Sequence, residues 1–291
     1  MSTQRELVNA MTVDVEDYFQ VSAFERHIAR SDWDRWPVRV EGNTERILDQ
    51  FAAHGVHATF FTLGWVAERF PGLIRRIVAE GHELACHGMS HVRATEQTPE
   101  QFRADIRAAK SMLEDIGGLA VQGYRAASYS IGRDNLWALT ELADAGFRYS
   151  SSIYPIAHDL YGMPEASRFP FHPSQAPELL EVPISTVRMA GRNLPAGGGG
   201  YFRFFPYALS RHFLRRLNQQ EGQAGVFYFH PWEIDVEQPR PEGLGFKTRV
   251  RHYLNQNRMA SRLERLLTDF RWDRMDRVFL PAGTTTGEKA A

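Results

Sequence analysis

In the segment Cys86-His87-Gly88-Met89-Ser90-His91, two histidines stand four residues apart. On a helical turn that spacing puts both imidazoles on one face, where they can share a cation, zinc being best suited. Gly88 lets the chain bend out of the preceding strand, and Cys86, alternating away from His87, reads as a small core residue. A second cluster, Thr12-Val13-Asp14-Val15-Glu16-Asp17-Tyr18-Phe19, sets three carboxylates where an apolar strand ends. Asp14 and Glu16 share one face of an extended strand, and Asp17 opens the loop. Acids so close repel one another unless a cation or an arginine lies between them. Arg125, in Gly123-Tyr124-Arg125-Ala126-Ala127-Ser128-Tyr129-Ser130, could hold a carboxylate in a bidentate grip. His230 closes the apolar run Phe227-Tyr228-Phe229 just before Pro231-Trp232-Glu233, a placement that aims it at a cleft. Each feature alone has a plainer explanation: loop histidines, an acidic turn, a surface arginine, a core histidine. Together they offer the cation site, the base and the acid that metal-assisted hydrolysis needs.

These residues must be positioned by the elements between them. Asn9–Val15, His57–Leu63, His82–Cys86, Val121–Arg125 and Arg148–Ser152 have the composition of strands. Thr44–His54 (capped by Asn43 or Thr44), Leu73–Glu80, Pro99–Ile116 and Asp134–Ala145 have helical apolar spacing, several of them ending at glycine. That alternation predicts an α/β fold with a parallel sheet, open or closed into a barrel, and every candidate residue falls at a strand's C-terminal end, where such folds build their sites. Downstream, Tyr154–Pro177 reads as an ordered excursion, Leu179–Val187 and Val226–Phe229 as strands, and Pro206–Gln220 and Ala260–Phe270 as helices. The run Gly197-Gly198-Gly199-Gly200 before Tyr201-Phe202-Arg203 is expected to border the cleft, since four glycines forfeit backbone entropy unless they permit close approach. Thr284–Ala291 reads as a polar, flexible tail.

Composition narrows the partners. Thirty-four basic residues against 35 acidic ones leave a net charge of −1, so no strong basic field over the whole chain is expected to recruit nucleic acid or anionic lipid. A single cysteine excludes an intrachain disulfide. With no apolar leader after Met1 and no long apolar run, a cytoplasmic chain without membrane insertion is expected. A homo-oligomer is left open.

The four clusters resemble the motifs of the NodB-homology polysaccharide deacetylases, carbohydrate esterase family four. Thr12–Asp17 is similar to the family's first motif, His87–His91 to its second, Arg125–Tyr129 to its third and Phe229-His230 to its fifth. A closer resemblance, carried by Val13–Phe19, Tyr124-Arg125-Ala126, the glycine run to Arg203 and His230-Pro231-Trp232-Glu233, is to a subgroup found with exopolysaccharide and exosortase loci. It implies a distorted (β/α) barrel of about seven parallel strands with an irregular C-terminal extension. One domain would span 1–285, with the first four motifs in 9–154 and the extension, including the last barrel strand, in 155–282.

The resemblance further implies hydrolysis of N-acetyl groups on a polysaccharide or its oligosaccharide or lipid-linked precursor. A divalent metal, zinc above others, would be held by His87, His91 and Glu16, or by Asp17 in place of Glu16. Asp14 would be the base, Arg125 its orienting partner, and His230 the acid. Ser128, Tyr129, Tyr201, Arg203 and Trp232 would contact the N-acetylated sugar, with Tyr154 a further stacking candidate. The chain departs from the family where Val15 separates Asp14 from Glu16 and where Ala127 replaces proline. The fourth motif's aspartate meets only Ser150-Ser151-Ser152, so His230 is expected to lack its usual carboxylate partner. Rival readings are a cyclic-amide hydrolase of the allantoin-opening kind and a catalytically silent sugar-binding protein.

Overall fold

The computed structural model describes residues 7–159 and 161–280; the tail expected at Thr284–Ala291 lies outside them. The first strand, β1 (Val8–Val15), is buried from Asn9 onward, the mark of a strand covered on both faces. Five strands follow it: β2 (Thr59–Thr62), β3 (Glu83–Cys86), β4 (Gly123–Tyr124), β5 (Tyr149–Ser150) and β6 (Leu180–Glu181). Helices α1 (Val40–His54), α2 (Gly64–Arg69), α3 (Pro71–Ala79), α4 (Pro99–Gly117) and α5 (Trp137–Asp144) form the crossovers. After a hairpin of β7 (Thr186–Met189) and β8 (Arg192–Pro195) come α6 (Gly199–Phe204), α7 (Tyr207–Gln219) and β9 (Val226–Phe229). The described chain ends with α8 (Phe246–Tyr253), α9 (Met259–Asp269), β10 (Arg271–Asp273) and α10 (Met275–Phe279).

The main sheet runs β10-β1-β2-β3-β4-β5-β6, with β9 also pairing with β1, and every pair in it is parallel. Between β6 and β9 no ladder closes the ring. Single backbone bonds do so instead: Ala196 N donates to Ser185 O at 2.9 Å, and Tyr228 N to Gly197 O at 2.7 Å. The result is the parallel sheet that the alternating pattern predicted, curled into the distorted barrel that the family resemblance implied and completed by strands from the less regular second half.

Several boundaries differ from those read in the sequence, each for a tertiary reason. Helix α1 begins four residues before Thr44, and neither Asn43 nor Thr44 caps it; both are buried inside it. Its first N–H groups, those of Arg39 and Val40, instead donate to the Asp17 carboxylate at 2.6 and 2.8 Å. The expected strand Leu179–Val187 splits into β6 and β7. The segment 87–91 is an irregular turn rather than a helical one, with Gly88 at φ 78° and His91 at φ 53°. The short elements α6, α8, β8 and β10 lack a strong periodic signal and were not anticipated.

Candidate active site

The C-terminal ends of β1, β3, β4 and β9 deliver Asp14, Glu16, His87, His91, Arg125 and His230 to one region. All but Arg125 line a pocket of about 450 Å³, a size suited to one sugar unit. Two arrangements of charge meet there.

The first is an ion pair. Arg125, fully buried, donates to Asp14 Oδ1 at 2.5 Å and to Thr12 Oγ1 at 2.8 Å, and its other nitrogens bond Ser151 O and Ser151 Oγ. Phe61 covers its face at 4.0 Å. The serine run that replaces the fourth-motif aspartate therefore holds the arginine. Asp14 Oδ2 remains directed at the pocket, 3.4 Å from the Tyr129 hydroxyl and 3.9 Å from His230 Nε2.

The second is a cluster of Glu16, His87 and His91, whose ligand atoms all lie within 4.8 Å of one another. Glu16 Oε2 is 2.8 Å from His91 Nε2 and 3.9 Å from His87 Nε2, yet it is not aligned for a hydrogen bond to either. His87 Nδ1 sits 2.8 Å from the Arg125 carbonyl, which fixes the tautomer that leaves Nε2 free as a ligand. Burial would raise the Glu16 pKa, but His91, His230 and His87 outweigh it and push it down to about 2. Burial pushes His87 down to about 4, so it is neutral at pH 7. Two imidazoles, an ionised carboxylate and an unsatisfied buried oxygen fit a borderline divalent cation.

Asp17 is not part of this cluster. Its carboxylate accepts from Tyr18 N as well as from Arg39 N and Val40 N, so it caps two helices and turns away from the histidines. Burial pushes it up to about 6. Replacing Glu16 with Gln should consequently weaken divalent-metal binding by about tenfold or more, whereas Asp17→Asn should leave it near normal and lower the melting temperature through the lost cap. Metal titration and thermal denaturation of the two variants check this ranking.

His230 has a carboxylate partner after all. Its Nδ1 lies 2.9 Å from Glu233 Oε1, and Glu233 Oε2 accepts from Arg203 Nε at 2.6 Å. Arg203 also donates to the carbonyls of His252 and Leu254, each at 2.8 Å. Burial would depress the His230 pKa, but Glu16, Glu233 and Asp14 together push it up to about 9. The expectation that His230 lacks a carboxylate partner is thereby corrected, and Glu233 is the site residue that sequence reasoning missed. Its one sequence signal was its spacing, three residues after His230 on a tight turn.

The same geometry bears on the candidate sugar contacts. Arg203 is 2% exposed and its guanidinium is engaged by Glu233 and backbone carbonyls. Trp232 donates to Glu16 Oε1 at 3.4 Å and stacks on both His252 and His230 with centroids at 4.2 and 5.0 Å, so it presents no open platform. Tyr154 is fully buried in aromatic core and does not line the pocket. Ser128, Tyr129 and Tyr201 line it, as do the small exposed parts of Arg203 and Trp232. Ser128 and Tyr129 adopt φ of 53° and 52°, left-handed values that cost energy in non-glycine residues and recur at functional turns.

The glycine run is packed, not loose. A Cβ on Gly198 would lie 2.9 Å from the Tyr228 ring, and one on Gly199 would lie 2.2 Å from Glu233 Oε1. At Gly200, which borders the pocket, nothing lies within 4 Å. Gly199→Ala should displace the Glu233 carboxylate from His230 and cost about 1–3 kcal/mol of overpacking strain, while Gly200→Ala should fold and turn over normally. Denaturation midpoints and kcat for the pair test this; equal behaviour would contradict the close packing.

Comparison with known proteins agrees with the geometry. Residues 28–150 match the Polysaccharide deacetylase family and residues 151–280 match the Domain of unknown function DUF3473. Asp14 and Glu16 precede the first match, and His230 lies in the second. A peptidoglycan-N-acetylglucosamine deacetylase of Bacillus cereus is 38% identical over 77 residues, 26% of this chain and 28% of that one. A chitooligosaccharide deacetylase of Bradyrhizobium is 33% identical over 100 residues, 34% of this chain and 46% of that one. The chain thus spans less than half the length of these relatives. A Mycobacterium smegmatis protein provisionally assigned as a polysaccharide deacetylase shares the fold with TM-score 0.62 at 20% identity, over 94% of this chain and 88% of that one. The chain thus carries a polysaccharide deacetylase domain at 28–150, followed by a DUF3473 domain at 151–280.

Proposed function

We propose that the protein hydrolyses N-acetyl groups on a sugar substrate, releasing acetate, with a divalent metal, zinc above others, held by His87, His91 and Glu16. The observation that carries this reading is the convergence of an arginine-bound Asp14, the Glu16–His87–His91 cluster and a carboxylate-backed His230 on one sugar-sized pocket. A metal at the cluster would supply Lewis acidity and lower the pKa of an attacking water.

The chain's own residues do the rest. Asp14, oriented by the Arg125 guanidinium on Oδ1, accepts the proton of the water through Oδ2, the oxygen facing the pocket. In the turn after Arg125, the N–H of Ala126 bonds Ser152 Oγ and that of Tyr129 bonds Ala126 O. The donor for the developing oxyanion in that turn is therefore Ala127 or Ser128. His230 delivers a proton to the departing amine; Glu233, 2.9 Å from its Nδ1, fixes its ring and supports the cationic form. Tyr201 and Ser128 are the proposed sugar contacts.

The test is acetate release from N-acetylglucosamine oligomers by purified protein, before and after chelation. Stripping should abolish release and zinc should restore it, with about one metal bound per chain. His87→Ala and His91→Ala should each lose metal. Turnover of allantoin without turnover of N-acetylated sugars, or undiminished metal in both histidine variants, would overturn the reading.

A further inference from the structure

The pocket opens beside a surface that the proposed chemistry does not use. Helix α8, Phe-Lys-Thr-Arg-Val-Arg-His-Tyr, carries three cations and no acid. Phe246 is 83% exposed and Val250, one turn later on the same face, is also exposed. Lys247 and Arg251 flank that apolar stripe on one side and Arg249 on the other, while His252 anchors the inner face. Val250 and Arg251 line the mouth of the pocket.

A second exposed aromatic joins the stripe. Phe204, at the end of α6, is 64% exposed and lines the same mouth. It is held beside α8 because Arg203 bonds the carbonyls of His252 and Leu254 and Asn255 Nδ2 donates to Arg203 O at 2.8 Å. Folding gains nothing from leaving two phenylalanines in water, and apolar patches of this kind mark interaction surfaces.

We infer that this rim docks the protein on an anionic lipid surface, with the pocket mouth facing the bilayer. Charge selects that occupant. Asp159 pairs with Lys247 and Arg251, and Glu242 in the preceding loop is offset by Arg240, so the face stays net positive. Arg249 has no ion-pair partner among the described residues. Phenylalanine and valine offer no hydrogen-bonding atoms for sugar hydroxyls, whereas an apolar stripe bracketed by Lys and Arg is the pattern of helices that lie in a headgroup layer. No helix among the described residues is long and apolar enough to cross a membrane, so the contact is peripheral.

The inference does not depend on the deacetylase reading, and its test keeps the two apart. Sedimentation of the full chain with phosphatidylcholine vesicles, with and without phosphatidylglycerol, should show binding only to the anionic vesicles, weakened by salt. The double variant Phe246→Ser/Arg249→Glu, both at exposed positions, should lower that partitioning by at least about tenfold while hydrolysing a short soluble oligomer as the parent does. Equal binding to both vesicle types, or equal partitioning of parent and variant, would overturn the inference. So would a variant that loses affinity for a soluble glycan instead, since the rim would then be a sugar platform.

Discussion

Asp14→Asn should lower turnover by about 10²–10⁴-fold while the protein remains folded and loaded with metal. Asparagine keeps the shape of the side chain and can still accept from Arg125, but it cannot take a proton from water at neutral pH. Asp14 is 2% exposed, so the substitution also leaves the Arg125 guanidinium without its counter-charge. Thr12 Oγ1, Ser151 O and Ser151 Oγ still hold that guanidinium, which limits the loss but does not remove it. Rates must accordingly be compared well below the melting temperature and at matched metal content. Near-normal acetate release under those conditions would move the base elsewhere, and Glu16 is the carboxylate next to hand, because Asp17 caps helices. Loss of metal together with activity would instead make Asp14 a ligand and overturn the division of roles between it and Glu16.

The residues of this site were legible in the sequence because each sits in a short local motif at a strand end. Asp14 and Glu16 flank one valine, the histidines share one turn, and Arg125 and His230 each close an apolar segment. Parallel strands that alternate with amphipathic helices place all such ends on one edge, so the pattern alone brings them near one another. What escaped the sequence is what distant segments decide. The start of α1 is set by Asp17, more than twenty residues upstream, rather than by its own Asn43 or Thr44. The role of Arg203 is set by Glu233, 30 residues away, and by carbonyls about 50 residues away. The glycine run reads as slack chain, yet two of its members are small because Tyr228 and Glu233 press against them. Tyr154, Trp232 and Arg203 were candidate sugar contacts; only packing shows how little of each surface stays open.

Glu233→Gln tests whether the downstream glutamate does the work of the absent fourth-motif aspartate. Its carboxylate is fully buried between His230 Nδ1 and Arg203 Nε. An amide has one accepting oxygen and one donating nitrogen, so it can satisfy one neighbour only by turning a donor on the other. Breaking a buried ion pair of this kind costs about 3–5 kcal/mol, because the Arg203 charge stays buried without a partner. Burial would raise the Glu233 pKa, but Arg203 and His230 hold it below its ordinary 4.5. A depressed carboxyl stabilises the folded state above that ordinary value, and the contribution is lost as pH falls through the lower, folded value. The stability gap between parent and variant should therefore be full at neutral pH and narrow in acid below about 4.5. Turnover should also fall, by about 10–100-fold, less than for Asp14→Asn, since solvent can partly protonate the leaving amine. The double variant Arg203→Met/Glu233→Gln separates structure from chemistry. Removing both charges should recover much of the lost stability, but His230 would still lack its carboxylate, so turnover should stay low. Recovery of both would reduce Glu233 to the counter-ion of Arg203. Recovery of stability alone identifies it as the residue that positions His230 for proton delivery.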